Sequence, residues 1–171
     1  MPGKLVIVGT PIGNLGDMTT RAFDALEAAD TVCAEDTRVT GKLLHALGIE
    51  AHLERCDENV IASRAAKLVE RMQEGEVIAF CSDAGMPGVS DPGLVLVDAA
   101  REAGVSVEVL PGASAVTTAL VAAGFNGTAF YFGGFLPRKQ VARAKLLQQL
   151  KALDAALIFY ESPYRVVASV E

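Results

Sequence analysis

The chain is short of cysteine, histidine, positive charge and long apolar runs, and each shortage removes a class of protein. Its three cysteines, Cys33, Cys56 and Cys81, are odd in number, far apart and set among residues of strand character. That leaves neither a disulfide framework nor a CxxC metal knuckle, and the expectation is buried thiols in a reducing compartment. The two histidines, His45 and His52, have no partner at metal-ligand spacing, so no metal is assigned. The most apolar stretch, 113–125, is interrupted by Ser114, Thr117 and Thr118 and falls short of the ~18 consecutive apolar residues of a membrane span. Near the N-terminus only Lys4 precedes a four-residue apolar run, too little for a signal peptide. A soluble, unexported, cytoplasmic protein is expected. Lys and Arg number 15 against 21 Asp and Glu, a net charge of -6, which argues against nonspecific coating of nucleic acid, since that binding is driven by displaced counterions. A nucleic acid held by a local basic patch stays compatible with it. Arg138, Lys139, Arg143, Lys145 and Lys151 form such a patch, which also reads as the solvated face of a helix.

What is abundant is apolar residue, 51% of the chain, enough for packed helices and strands covered on both faces. A length of 171 residues suits one full domain and part of another. Strand-like runs at 4–8, 31–34, 51–55, 77–81 and 105–110 alternate with amphipathic stretches at 21–29, 39–47, 61–73 and 93–103. Thr19 and Thr20 are good caps for the first helix. Gly48, Gly75 and Gly104 follow later helices, where a left-handed cap favours glycine. The pattern predicts an α/β fold, a mainly parallel five-stranded sheet with helices on both faces. A small-residue helix at 113–123 ends in Gly124 and a polar turn at Asn126-Gly127, where we place a domain boundary. Beyond it a strand at 129–135, a helix at 138–153, a strand at 156–160 and a helix start at Pro163 follow. The expectation is an N-terminal α/β domain over 1–124 and the beginning of an incomplete second α/β domain over 125–171, since two strands and two helices cannot cover both faces of a sheet.

In an open parallel sheet, ligands bind beyond the carboxyl ends of the strands. Four loops there are unusual. Residues 9–16 hold three glycines and a proline. They read either as a plain tight turn or as backbone that a ligand can approach, without the spacing of a dinucleotide or P-loop. Glu35, Asp36 and Arg38 crowd the end of the second strand. They read as ribose-holding groups or as a local Asp36–Arg38 pair with Asp36 capping the next helix. Residues 82–93 hold three Gly, two Pro and two Asp, more loop than a connection requires. Asp83 is read as a ligand contact and Asp91 as mainly structural. Ser114, after Pro111-Gly112, either caps the helix or meets a ligand.

Taken in order, 10–15 (TPIGNL), 34–38 (AEDTR), 82–93, 109–115 (VLPGASA), 134–139 (GFLPRK) and 160–165 (YESPYR) resemble the tetrapyrrole methylase superfamily. The resemblance is closest to members that methylate a cytidine ribose 2′-oxygen of 16S rRNA in the small ribosomal subunit. It implies S-adenosylmethionine as cofactor, held in a cleft between two α/β domains, and a homodimer. By resemblance Pro11, Ile12 and Gly13 flank the cofactor, and Asp83, Ala84, Gly85 and Met86 hold its methionine and ribose. Ser114 and Ala115 contact it from the fourth loop, and Tyr160 lies near the adenine. Asp36 and Arg38 are the candidate catalytic residues, with Glu35, Arg138 and Lys139 toward the RNA. The superfamily's first loop usually reads G-x-G-P-G-D; here Pro11 stands one place earlier and Asn14 replaces the acid, which removes a carboxylate from the pocket mouth and favours an anionic substrate. Two rivals stand beside this reading: a methylase of a tetrapyrrole or protein side chain, and a non-enzymatic nucleotide-binding module.

Overall fold

The computed structural model describes residues 3–127 and 129–171. Strand β1 (Lys4–Val8) is followed by a 3-10 turn at Leu15–Asp17 and helix α1 (Thr20–Glu27). Then come β2 (Thr31–Ala34), α2 (Thr37–Leu47), β3 (Leu53–Arg55), α3 (Ile61–Gln73), β4 (Val77–Cys81), α4 (Gly93–Glu102) and β5 (Ser106–Leu110). The chain continues through α5 (Ala115–Ala122), β6 (Phe130–Phe135), α6 (Gln140–Leu150), β7 (Ala156–Tyr160) and α7 (Val166–Val170).

The first five strands form one sheet in the order β3-β2-β4-β1-β5, and every pairing in it is parallel. Because side chains alternate across a strand, each central strand feeds two cores. Leu5, Ile7, Cys33, Ile78 and Phe80 point to the face covered by α3 and α4, where Leu68, Met72, Leu96 and Ala100 are buried. Val6, Val8, Val32, Ala79 and Cys81 point to the other, covered by α1 and α2 through Leu26 and Leu44. This double coverage explains why these strands read as nearly unbroken apolar runs. Cys33, Cys56 and Cys81 are free and buried. Cys33 and Cys56, apart in sequence, share one core and a thiol hydrogen bond that, with burial, raises the Cys33 pKa.

Local signals set the helix boundaries. Thr19 accepts a hydrogen bond from the Ala22 N–H at 3.1 Å and starts α1. Gly48, at φ 73°, closes α2 in the left-handed region. Helix α6 is shorter than the expected 138–153, because Lys139 is extended, with ψ 124°, and a turn from Leu150 to Leu153 closes the other end.

The contacts divide the chain into two compact units, Met1–Ser114 and Ala115–Glu171. The sequence places a boundary after Gly124, but α5 packs against β7 and so goes with the second unit. That unit carries a parallel β6–β7 pair with a register shift between Phe132 and Phe135. Among the described residues no helix is long and apolar enough to cross a membrane.

At the amino ends of the first sheet, Arg71 of α3 ties several elements together. It donates to Glu76 ahead of β4 at 2.6 and 2.5 Å, to the Thr31 hydroxyl at 2.6 Å and to Glu54 of β3 at 2.7 Å. The Arg71 guanidinium holds the Glu76 carboxyl below its ordinary value. A group whose pKa is depressed by folding stabilises above its unfolded pKa and loses that contribution as pH falls. Arg71→Ala is therefore expected to cost about 1–3 kcal/mol near neutrality. In urea titrations the gap between variant and unsubstituted protein should hold from about pH 7 down to the ordinary Glu value of 4.5, and narrow as pH falls further toward the depressed Glu76 pKa. A gap that stays constant below that value would deny the ion pair this role.

Candidate functional site

The strand order brings the carboxyl-end loops of β2, β4, β1 and β5 side by side, at the edge where open parallel sheets bind ligands. The loops after β1 and β4 are stitched by an isolated antiparallel bridge. The Thr10 N–H donates to the Gly85 carbonyl at 3.0 Å, and the Gly85 N–H donates to the Thr10 carbonyl at 3.1 Å. The loops after β1 and β5 meet backbone to backbone. A Cβ on Gly112 would sit 2.8 Å from the Gly9 Cα, and one on Gly9 would sit 2.7 Å from the Met86 sulfur. Neither distance is one that real carbon atoms tolerate without a shift. Gly85 has φ 81° and faces Ile12 and the Ala113 carbonyl at 3.3 and 3.4 Å from its would-be Cβ. Loops one, three and four thus converge on one floor made of Ile12, Gly85, Met86, Gly112 and Ala113.

One buried polar atom in this floor is orphaned. Ser82 is 4% exposed, and its hydroxyl has no hydrogen-bond partner among the described residues. Buried hydroxyls are normally paired, so this one suits a group that enters from outside. Asp91 has the structural role read from the sequence: its carboxylate accepts from the Gly88 N–H at 2.9 and 2.8 Å and from the Gly93 N–H at 2.9 Å, pinning the long loop.

The second loop is tied to the third. The Asp83 carboxylate accepts from the Asp36 N–H at 3.0 Å. Asp36 is the N-cap of α2, accepting from the Arg38 N–H at 2.8 Å and binding the Arg38 guanidinium at 3.0 and 2.6 Å. The cap-and-pair alternative for Asp36 is thus the arrangement present. The guanidinium holds the Asp36 carboxyl well below the usual carboxylate range, which makes Asp36 a weak proton acceptor. A cavity of about 440 Å³ opens beside it, lined by Glu35, Asp36, Thr37, Arg38, Arg55 and Asp57. Asp57 clamps Arg55 as Asp36 clamps Arg38. Among the described residues no cation lies within ion-pair distance of Glu35. Burial, and then the nearby Asp83 carboxylate, push the Glu35 pKa up. Sequence reasoning missed Arg55 and Asp57; their place at and just beyond the carboxyl end of β3, beside β2, was the available signal.

Of the other residues named from the sequence, Pro11 and Gly13 lie in the first loop beside Ile12, Ala84 lies in the third, and Ser114 ends the first unit. Ala115 opens α5 and belongs with the second unit, as does Tyr160 at the end of β7. The Tyr160 ring meets Phe132 and Phe135 edge-on, with centroids 4.8 and 5.6 Å away. Arg138 and Lys139 precede α6 and are exposed.

A doubly wound sheet with a glycine-floored carboxyl edge defines the class, and sequence comparison agrees with it: the chain belongs to the tetrapyrrole (corrin/porphyrin) methylases, whose family profile matches residues 4–171. Among curated relatives, the ribosomal RNA small subunit methyltransferase I of Escherichia coli O157:H7 is 47% identical over 169 residues, 99% of this chain and 59% of that protein. The Thermotoga maritima protein of the same name is 44% identical over 168 residues, 98% of this chain and 75% of that one. The chain therefore spans a little over half of the first relative. Among solved structures, the methyltransferase CobJ is 25% identical with a TM-score of 0.68, covering 96% of this chain and 71% of that one. The uroporphyrin-III-C-methyltransferase from Thermus thermophilus is 27% identical with a TM-score of 0.61, covering 93% and 68%.

If the Gly9–Gly112 approach sets the geometry of the floor, a side chain there must force the loops apart. Gly112→Val is expected to lower the unfolding free energy by about 1–3 kcal/mol, the usual cost of overpacking. Gly127→Ala, with open space around it, should change little. Equal denaturation midpoints for the two variants would mean that the approach carries no constraint.

Proposed function

We propose that the complete protein transfers a methyl group from S-adenosylmethionine to the ribose 2′-oxygen of a cytidine in 16S rRNA of the small ribosomal subunit. The stitched floor of the first unit carries this reading, because it joins the family's cofactor-binding loops into one wall. The relatives named ribosomal RNA small subunit methyltransferase I, at 44–47% identity, support small-subunit ribosomal RNA as the substrate.

The residues present fit the cofactor. The orphaned Ser82 hydroxyl offers a hydrogen bond, and Asp83 offers a carboxylate to an ammonium or a ribose hydroxyl. Glycines at 9, 85 and 112 let a ligand lie against backbone. In this assignment Pro11, Ile12, Gly13, Ala84, Gly85 and Met86 line the methionine and ribose portions. Ser114, at the end of the fourth loop, contacts the same molecule. When bound, S-adenosylmethionine supplies an electrophilic methyl group on a sulfonium.

The chain's own work is to orient the acceptor and manage its proton. A ribose hydroxyl is a poor nucleophile near neutral pH, so a base or a cation that favours the alkoxide assists it. Asp36 holds Arg38 by a two-pronged pair, which fixes a guanidinium at the cavity and directs it at the developing oxygen charge. Because Asp36 is spent on Arg38 and on the helix cap, proton acceptance falls to Glu35, which lines the same cavity and has the raised pKa. Arg138 and Lys139 bind RNA phosphate. A cytoplasmic homodimer completes the assignment.

The experiment is to incubate the full-length protein with methyl-labelled S-adenosylmethionine and small ribosomal subunits, and then to map the label. It should sit on a cytidine ribose of 16S rRNA; label in a small tetrapyrrole or in ribosomal protein contradicts the proposal. In single-turnover assays Glu35→Gln should slow transfer by about 10²–10⁴-fold, the usual size of a general-base contribution. The rate of the unsubstituted protein should fall as pH drops through the raised Glu35 pKa, and this limb should vanish in the variant. A rate unchanged by Glu35→Gln removes that residue from the proton's path.

A further inference from the structure

The second unit holds a basic cavity that no part of the cofactor assignment uses. Its volume is about 320 Å³, and Arg138, Gln140, Arg143, Tyr164, Arg165 and Ser169 contribute to its lining. Three guanidiniums thus meet in a chain whose net charge is -6.

The nearby acid offsets one of them and leaves a surplus of positive charge. Glu161 gives one oxygen to the Ser162 N–H at 2.8 Å and lies 3.2 Å from one Arg165 nitrogen, while its other oxygen accepts from the Ser169 hydroxyl at 2.8 Å. Those bonds hold its carboxyl below the ordinary value. Arg143 is steadied by a neutral group, donating to the Ala168 carbonyl at 3.1 Å. The other Arg165 terminal nitrogen is buried and has no hydrogen-bond partner among the described residues. A buried donor on a cation is costly to leave unpaired, and an anion entering the cavity would satisfy it. At the rim Tyr164 is 96% exposed, while its backbone N–H is fixed by the Ser162 hydroxyl at 3.3 Å. An exposed ring beside clustered guanidiniums is the pairing by which single-stranded nucleic acid is held, with phosphate on the cations and a base stacked on the ring.

We propose that this cavity is a phosphodiester subsite for single-stranded RNA. Arg138, Arg143 and Arg165 take one phosphate, and Tyr164 stacks an adjoining base. The inference rests on the RNA reading above and extends it to residues outside the reacting centre.

The test uses the full-length protein and a fluorescently labelled single-stranded RNA oligonucleotide, followed by anisotropy over a range of salt concentrations. Arg143→Gln should weaken binding and lower the slope of log affinity against log salt by about 0.7, the loss of one phosphate contact on a single strand. Tyr164→Ala should weaken binding about 5- to 100-fold, and Tyr164→Phe, which keeps the ring face, should restore it. Unchanged affinity for S-adenosylhomocysteine in each variant checks folding. If the unsubstituted protein methylates ribosomal RNA while the variants keep full oligonucleotide affinity and slope, the subsite alone is overturned. If the unsubstituted protein neither binds the oligonucleotide nor methylates RNA, both readings are overturned.

Discussion

Everything at the carboxyl edge of the first sheet depends on how closely the backbone at Gly9 approaches that at Gly112. Strand β1 runs between β4 and β5, so the loops leaving these three strands start from neighbouring points and compete for the same space. With no side chain at 9 or 112 the two backbones touch, and the Met86 sulfur closes over Gly9. The Thr10–Gly85 bridge then has the short span it needs. A Cβ at either glycine would part the loops and dissolve the floor from which Ser82 and Asp83 are presented.

The opposite end of the sheet is built on another principle. There Arg71, Glu76, Thr31 and Glu54 form a charged, hydrogen-bonded cluster that fixes the amino ends of the strands and leaves its donors and acceptors satisfied. The carboxyl end, in contrast, holds an unpaired buried hydroxyl at Ser82 and a Glu35 carboxyl whose charge is disfavoured by burial and by Asp83. Unsatisfied groups are costly and persist where a ligand repays them. On the proposed reading, the two ends divide the labour between stability and function.

Much of this was legible in the sequence because the governing signals are local. Alternating apolar runs and glycine stops located β1, β2, β4 and β7 and the order of the helices, and Asp91 was read as mainly structural. Its neighbour Asp83 was singled out without the partner it has, because its tie to the Asp36 N–H joins residues 47 apart in sequence. The same limit hid the shared core of Cys33 and Cys56, the Gly9–Gly112 contact and the part of Arg55 and Asp57 in the cavity. Each depends on which strands are neighbours, and strand order is not written in any one segment. The placing of α5 failed for a related reason: its small residues and following glycine read as the end of a domain, while its packing against β7 is a long-range fact.

The central claim is that the loops after β1, β4 and β5 form one cofactor-binding wall. The most direct measurement is ultraviolet cross-linking of methyl-labelled S-adenosylmethionine to the full-length protein, with peptide mapping of the adduct and S-adenosylhomocysteine as competitor. The account predicts competed label in peptides containing residues 9–16, 82–92 or 111–114. Label confined to other peptides, or label that the competitor does not displace, would contradict it.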